Sequence, residues 1–237
     1  MLLDPQNLAH DFDRLEEIEK ASLRLVTQAL YEYRDLAAEI FLQEGDLVAD
    51  IGEDITREAL DRLGTSKIDR RLFGKVDYKR ARYVFHPDYA AKQALFVDSK
   101  AEKIAGQGTA TLQITQLSMI VRQIRFRSRI EVPGRLPKVL MVGGEPYITT
   151  TIFVKYNYDI ADGKYQLRTI TIVALPNGIL QEKYNPTADD TIWIAGRNAP
   201  SLGEEFRVRL SFSRLRAKAR WRVQTIPVSP GVFQWAD

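Results

Sequence analysis

The chain of 237 residues contains no cysteine. That absence removes thiol nucleophiles, disulfides and thiolate metal sites together. Only two histidines occur, His10 and His86, so a multi-histidine metal centre is excluded and a histidine triad would have to use one of them. No run of about eighteen apolar residues is found, so no membrane span is expected. The start, Met1-Leu2-Leu3-Asp4-Pro5, has neither the basic region nor the apolar stretch of a signal peptide, and a cytoplasmic location is expected. Internal repeats, low-complexity tracts and linkers are missing too. One domain over 1–237 is therefore expected, with a helical part at 1–66 and a sheet-forming part at 67–237.

The net charge of +3 is small, but the charges are segregated. Residues 1–62 hold sixteen Asp and Glu against six Lys and Arg, a balance of −10. The remaining 175 residues hold 28 basic and 15 acidic side chains, a balance of +13. Asymmetry of this kind prompts a search for a polyanionic partner, although acidic helices are often plain solvated faces.

Asp13 with Glu16 resembles a capping box. Leu15, Ile18, Ser22, Leu25, Ala29, Leu36 and Ile40 then follow at helical spacing and make one stripe. A second helix is predicted over about 52–63, with Gly64 as its stop. Strands are predicted at 75–85 and 93–100 around a turn at 86–91, and a helix at 109–121. A second hairpin is expected at 148–158 and 165–174 around Asp162-Gly163. A short helix at 179–184 and strands at 206–212 and 221–228 complete the prediction. The fold class is α/β or α+β with a mixed sheet.

Asp77, Asp98 and Lys100 carry the chemistry. Asp98 and Lys100 are i and i+2 on a strand that begins Ala94-Leu95-Phe96-Val97, so they share a face. In an antiparallel hairpin, paired positions have a constant sum. For Asp77 and Asp98 the midpoint falls between Pro87 and Asp88, inside the predicted turn. The two carboxylates then become cross-strand neighbours about 5 Å apart, which destabilises a sheet unless a cation lies between them. Hard carboxylate oxygens suit Mg²⁺. A divalent cation beside a phosphodiester activates water and stabilises charge on the phosphate, and a lysine adds to both effects. Asp-x-Lys also occurs at Asp77-Tyr78-Lys79 and Asp162-Gly163-Lys164. Taken singly, each is a solvated ion pair.

Segments across about four-fifths of the chain resemble, in order, the SfiI-type restriction endonucleases. They include Glu19-Lys20, Glu53-Asp54-Ile55-Thr56, Val76-Asp77-Tyr78-Lys79-Arg80, Val97-Asp98-Ser99-Lys100-Ala101 and Thr111-Leu112-Gln113. Thr151-Ile152-Phe153-Val154, Tyr184-Asn185-Pro186 and Gly203-Glu204 follow. The resemblance implies a PD-(D/E)XK nuclease core, a mixed sheet flanked by helices. It implies Mg²⁺-dependent cleavage of double-stranded DNA at an interrupted palindrome, leaving 5′-phosphate and 3′-OH ends. Relatives of this type, BglI among them, leave 3′ overhangs and act as homodimers or homotetramers. A restriction-modification system would also encode a cognate methyltransferase. Asp77, Asp98 and Lys100 match the active-site positions, with Asp77, Asp98 and Ser99 as metal ligands. Val76 stands where the usual proline would be. Glu53 matches a helical acid supporting water at the metal. Residues 120–146 match poorly.

Seven basic residues lie in 206–237 against one acid, Asp237. Arg207 and Arg209 share a strand face and can each meet a guanine in the major groove. The resemblance places both of them, and Arg197, at base-reading positions; phosphate contact or surface charge is the other reading. Arg214, Arg216, Lys218, Arg220 and Arg222 are expected at phosphates. Arg122, Arg125, Arg127 and Arg129 form a second basic group. Two other functions fit the same residues. One is a repair or recombination nuclease of the same fold; the other is a non-catalytic, sequence-specific DNA-binding protein.

Overall fold

The structure, a computed structural model, describes all residues except 45–47, 65, 73, 75, 107, 196–206 and 229, together with the side chain of Ala49. Two helices precede most of the sheet. Helix α1 spans Phe12–Gln43 and α2 spans Val48–Arg62. The cap of α1 is Asp11, not Asp13: its carboxylate accepts from the Arg14 N–H at 3.1 Å. The stripe also turns along the helix. Leu15, Ile18, Ser22 and Ala29 are buried as expected, but beyond Ala29 the helix buries Leu30, Tyr33, Ala37 and Phe41 instead. Leu36 is 37 % exposed.

Among the described residues the main sheet has seven strands. They are β1 (Leu2–Leu3), β2 (Tyr78–His86), β3 (Tyr89–Lys103), β7 (Val139–Val142), β8 (Glu145–Ala161), β9 (Lys164–Leu175) and β12 (Val223–Pro227). The central order is β1-β3-β8-β9-β12, with β2 on β3 and β7 on β8. β3 and β8 run parallel, while β8–β9, β9–β12 and β2–β3 are antiparallel. Helix α1 lies against β9 and α2 against β3. Leu95, Val97, Ile152, Val154, Tyr156, Ile170 and Ile172 meet the two helices in one core.

The opposite face of the sheet carries a second core. Phe153, Val173 and Leu175 pack there against Leu112, Val121, Trp193, Val208 and Leu210. These come from β4 (Thr109–Gln113), β5 (Ile120–Arg125), β10 (Trp193–Ile194) and β11 (Arg207–Ser211). β10, β11 and β4 form a three-stranded sheet in that order, and β5 pairs with β6 (Ser128–Pro133). Helices α3 (Gln181–Tyr184) and α4 (Phe212–Lys218) are short.

The helix predicted over 109–121 is therefore a strand, a short turn of 3-10 helix at Ile114–Gln116 and the start of β5. Leu112, Gln116 and Met119 do recur at helical spacing. Yet Ala110 and Leu112 are buried between half-exposed Thr109, Thr111 and Gln113, a period of two that suits a strand rich in β-branched threonine. The two predicted hairpins are present. Asp162 and Gly163 close the second with φ of 52° and 73°, the left-handed geometry such a turn requires. The first turn is tighter than predicted, with His86 paired to Tyr89.

Candidate active site

The register of the first hairpin sets the site. Tyr78 pairs with Val97 and His86 with Tyr89, so paired numbers keep the constant sum predicted for Asp77 and Asp98. One step beyond Tyr78, Asp77 reaches the end of β3. There its Oδ2 accepts the Ser99 N–H at 3.3 Å. Alternation along β3 then sorts the side chains. Val97 joins the helix-side core, and the Ser99 hydroxyl on that side bonds the Thr56 hydroxyl of α2 at 2.8 Å. Asp98 and Lys100 point to the other face. The Lys100 ammonium donates to the Thr111 carbonyl of β4 at 2.9 Å.

Asp98 is 4 % exposed, and its Oδ2 is buried without a hydrogen-bond partner. Burial is the largest influence on this carboxyl, followed by the hydrogen bond and charge of Asp77. Lys100 and Gln116 oppose them, and the net effect raises the pKa to about 7. Asp77 itself is exposed. Glu53, half-buried on α2, also titrates above its ordinary value, because burial and then the neighbouring Asp77 charge disfavour its anion. Gly52 lets α2 descend here: a Cβ at that position would stand 3.0 Å from the Tyr156 ring. A cleft of about 400 Å³ opens beside Asp77 and is lined by Arg57, Arg71, Lys79 and Arg80.

A buried carboxylate oxygen with no partner, beside a second carboxylate, is a donor set that suits a hard cation. Among the described residues no three Asp, Glu or His side chains gather as ligands. The Ser99 hydroxyl lies on the helix side, donating to Thr56 and facing away from Asp98, so its main-chain carbonyl is the atom left for a metal.

Arg207 and Arg209 are half-exposed on β11 and alternate with the buried Val208 and Leu210. Arg209 pairs with Thr111 of β4, the residue that Lys100 holds. Arg197 lies outside the described residues. Arg214 donates to the carbonyls of Trp193 at 2.9 Å and Thr191 at 3.3 Å. Arg216 donates to Thr225 at 3.3 Å, and Lys218 pairs with Asp190 at 2.6 Å.

Arg222 is corrected outright. It is fully buried and pairs with the equally buried Glu19 at 2.6 Å, so it cannot meet a phosphate. Arg122, in the second basic group, is tied to Glu131 and Glu182, and Arg129 to Asp189. Three neighbours of the site were not foreseen: Thr56, Gln116 and Lys155. Lys155 had a signal, a charge inside the otherwise apolar run Ile152-Phe153-Val154-Lys155-Tyr156.

The family described as Type II restriction enzyme SfiI matches residues 27–226. The curated Type II restriction enzyme SfiI of Streptomyces fimbriatus is 36 % identical over 234 residues, covering 92 % of this chain and 86 % of that protein. The solved structure of tetrameric restriction endonuclease SfiI bound to cognate DNA matches at a TM-score of 0.86 and 32 % identity, over 100 % of this chain and 91 % of that one. Restriction endonuclease BglI bound to its DNA recognition sequence shares the fold, at a TM-score of 0.72 and 17 % identity over 95 % of this chain and 94 % of that one. No helix among the described residues is long and apolar enough to cross a membrane. This chain belongs to the SfiI family of Type II restriction enzymes, the site-specific deoxyribonucleases.

Proposed function

We propose that Asp77, Asp98 and Lys100 form the active site of a Mg²⁺-dependent enzyme that cuts double-stranded DNA at an interrupted palindrome. The products carry 5′-phosphate and 3′-OH ends on 3′ overhangs. The observation that supports this most is the hairpin register. It brings Asp77 to the end of β3 beside Asp98, with Lys100 two residues on along the same face. Asp77, Asp98 and the Ser99 carbonyl would hold Mg²⁺, which supplies charge neutralisation at the phosphate and acidifies water.

The side chains divide the remaining work. Lys100, held by the Thr111 carbonyl, presents an ammonium to the developing negative charge. Glu53 is positioned to accept a proton from water on the Asp77 side. Arg207 and Arg209 face the bases. The resemblance adds Arg197 to the base-reading positions, and Arg214, Arg216 and Lys218 extend the contact to the phosphates. The solved SfiI structure, a tetramer on cognate DNA, suggests a homotetramer here too, each copy bringing one such site to DNA of matching symmetry.

Digestion of a plasmid of known sequence with Mg²⁺, followed by run-off sequencing of the ends, tests the reading. Discrete fragments cut at one interrupted palindrome with 3′ overhangs are expected. A smear would point to a repair nuclease, and gel shifts with no cuts under any divalent metal to a non-catalytic binder.

A further inference from the structure

Lys155 is 1 % exposed, in the middle of β8. Nothing in the proposed chemistry uses it, although a buried ammonium is costly unless fully bonded. Its three donors are all engaged. They go to the carbonyls of Gly106 and Thr109, each at 2.6 Å, and to the Glu102 carboxylate. The parallel ladder pairs Lys155 directly with Lys100 of β3. The two lysines therefore lie side by side and reach the same strand, Lys155 at Thr109 and Lys100 at Thr111.

Carbonyls two residues apart point to one side of a strand. On its other side β4 pairs with β11, where Ser211 faces Thr109 and Arg209 faces Thr111. β4 is thus a single strand between two different tasks. One edge is bonded to the strand that carries Arg207 and Arg209. The other is pinned by two ammonium groups from the strands of the active site. Arg209 is also close enough for its charge to act on Lys155, as is that of Lys100. Three cations around one strand repel each other unless the backbone acceptors keep them apart.

We propose that Lys155 is a positioning residue that fastens the β4–β11 pair to the active-site strands, so that the placement of Lys100 follows the seating of β11 on its DNA sequence. This rests on the active-site reading of Asp77, Asp98 and Lys100. Lys155 touches no DNA; it acts through β4. Replacing it leaves the β4–β11 pairing and its arginines intact but loosens the attachment of that pair to the strand that carries Lys100.

The test compares the parent protein with Lys155→Met and Lys100→Met. Affinity for cognate DNA is measured with Ca²⁺ in place of Mg²⁺. Single-turnover cleavage at saturating DNA is measured with Mg²⁺, on the cognate site and on sites altered at one base pair. For Lys155→Met, affinity within about threefold of the parent is expected, with a cleavage rate and a cognate preference each lower by about tenfold or more. A parent-like rate and preference would overturn the proposal. So would a rate and affinity that fall together with the folded fraction while preference stays unchanged. Lys100→Met cutting like the parent sinks the active-site reading and this proposal with it. Lys100→Met inactive beside a parent-like Lys155→Met sinks the proposal alone. If Lys155→Met does not fold, Glu102→Ala decides, since Glu102 is 55 % exposed and its loss frees one donor of the ammonium. A saturating rate lower by about threefold or more at unchanged affinity is then expected, and a parent-like rate overturns the proposal.

Discussion

Burial and charge pull the Asp98 carboxyl in a direction that only a cation reverses. Its pKa in the metal-free fold is raised to about 7, above the ordinary carboxylate value, so the folded state favours the protonated form. The resulting penalty is absent below about pH 4, grows as pH rises and is complete above about pH 7. At about 1.4 kcal/mol per pH unit over about three units, it amounts to roughly 4 kcal/mol. Asp98→Asn removes it. Melting scans in EDTA should therefore show Asp98→Asn more stable than the parent at pH 8, by several degrees, and little different near pH 4. Added Mg²⁺ should raise the melting temperature of the parent at pH 8 and leave Asp98→Asn unmoved. Equal melting temperatures at pH 8 in EDTA would show that Asp98 ionises without cost. At this scale the two aspartates and Lys100 were legible because strand alternation and a constant hairpin sum need only the positions of the residues. Gln116 was not, since it reaches the site from a turn whose packing is non-local, and Lys155 showed only as a charge inside an apolar run, with nothing local to say which strand it meets.

Among the elements, α1 and the segment entering β12 are joined by the Glu19–Arg222 pair. Both side chains are fully buried. Burial raises the pKa of Glu19, and Arg222 offsets it only in part. The neighbouring Glu16 shows the opposite balance: burial works against its anion, but Lys183, Tyr184 and Arg222 together hold it below the usual range. Breaking a buried pair leaves one charge uncompensated. Arg222→Met should destabilise the protein by about 3–5 kcal/mol in urea unfolding, and Glu19→Met combined with Arg222→Met by clearly less. A double variant as unstable as the single would mean that packing, not the orphaned charge, sets the cost.

The two hairpins were readable because local turn chemistry and alternation agree there. The stretch at 109–121 was misread because its helical spacing is real but weaker than the pairing of β4 with β11. Arg222 was misread because a basic run in sequence gives no sign of which arginine turns inward.

For the whole molecule, the small net charge hides a division of labour. The acidic excess lies in the helical part, and the basic excess in residues 63–237, which include β11 with Arg207 and Arg209. Binding to duplex DNA should weaken steeply with salt as counterions are released. The individual arginines should then separate by role. Arg209→Gln should cost about 1–3 kcal/mol on the cognate site and relax selectivity at one base pair, with competition binding as the readout. Arg216→Ala should weaken all sequences alike and reduce the salt slope by about 1. If both variants lower every sequence equally, β11 holds the backbone and does not read bases.

Single-turnover cleavage of cognate DNA by Asp98→Ala, beside the parent protein and with Mg²⁺ at pH 8, tests the central assignment most directly. A rate lower by on the order of a thousandfold, with cognate binding retained, is expected. An Asp98→Ala variant that cuts at the parent's rate would contradict the assignment.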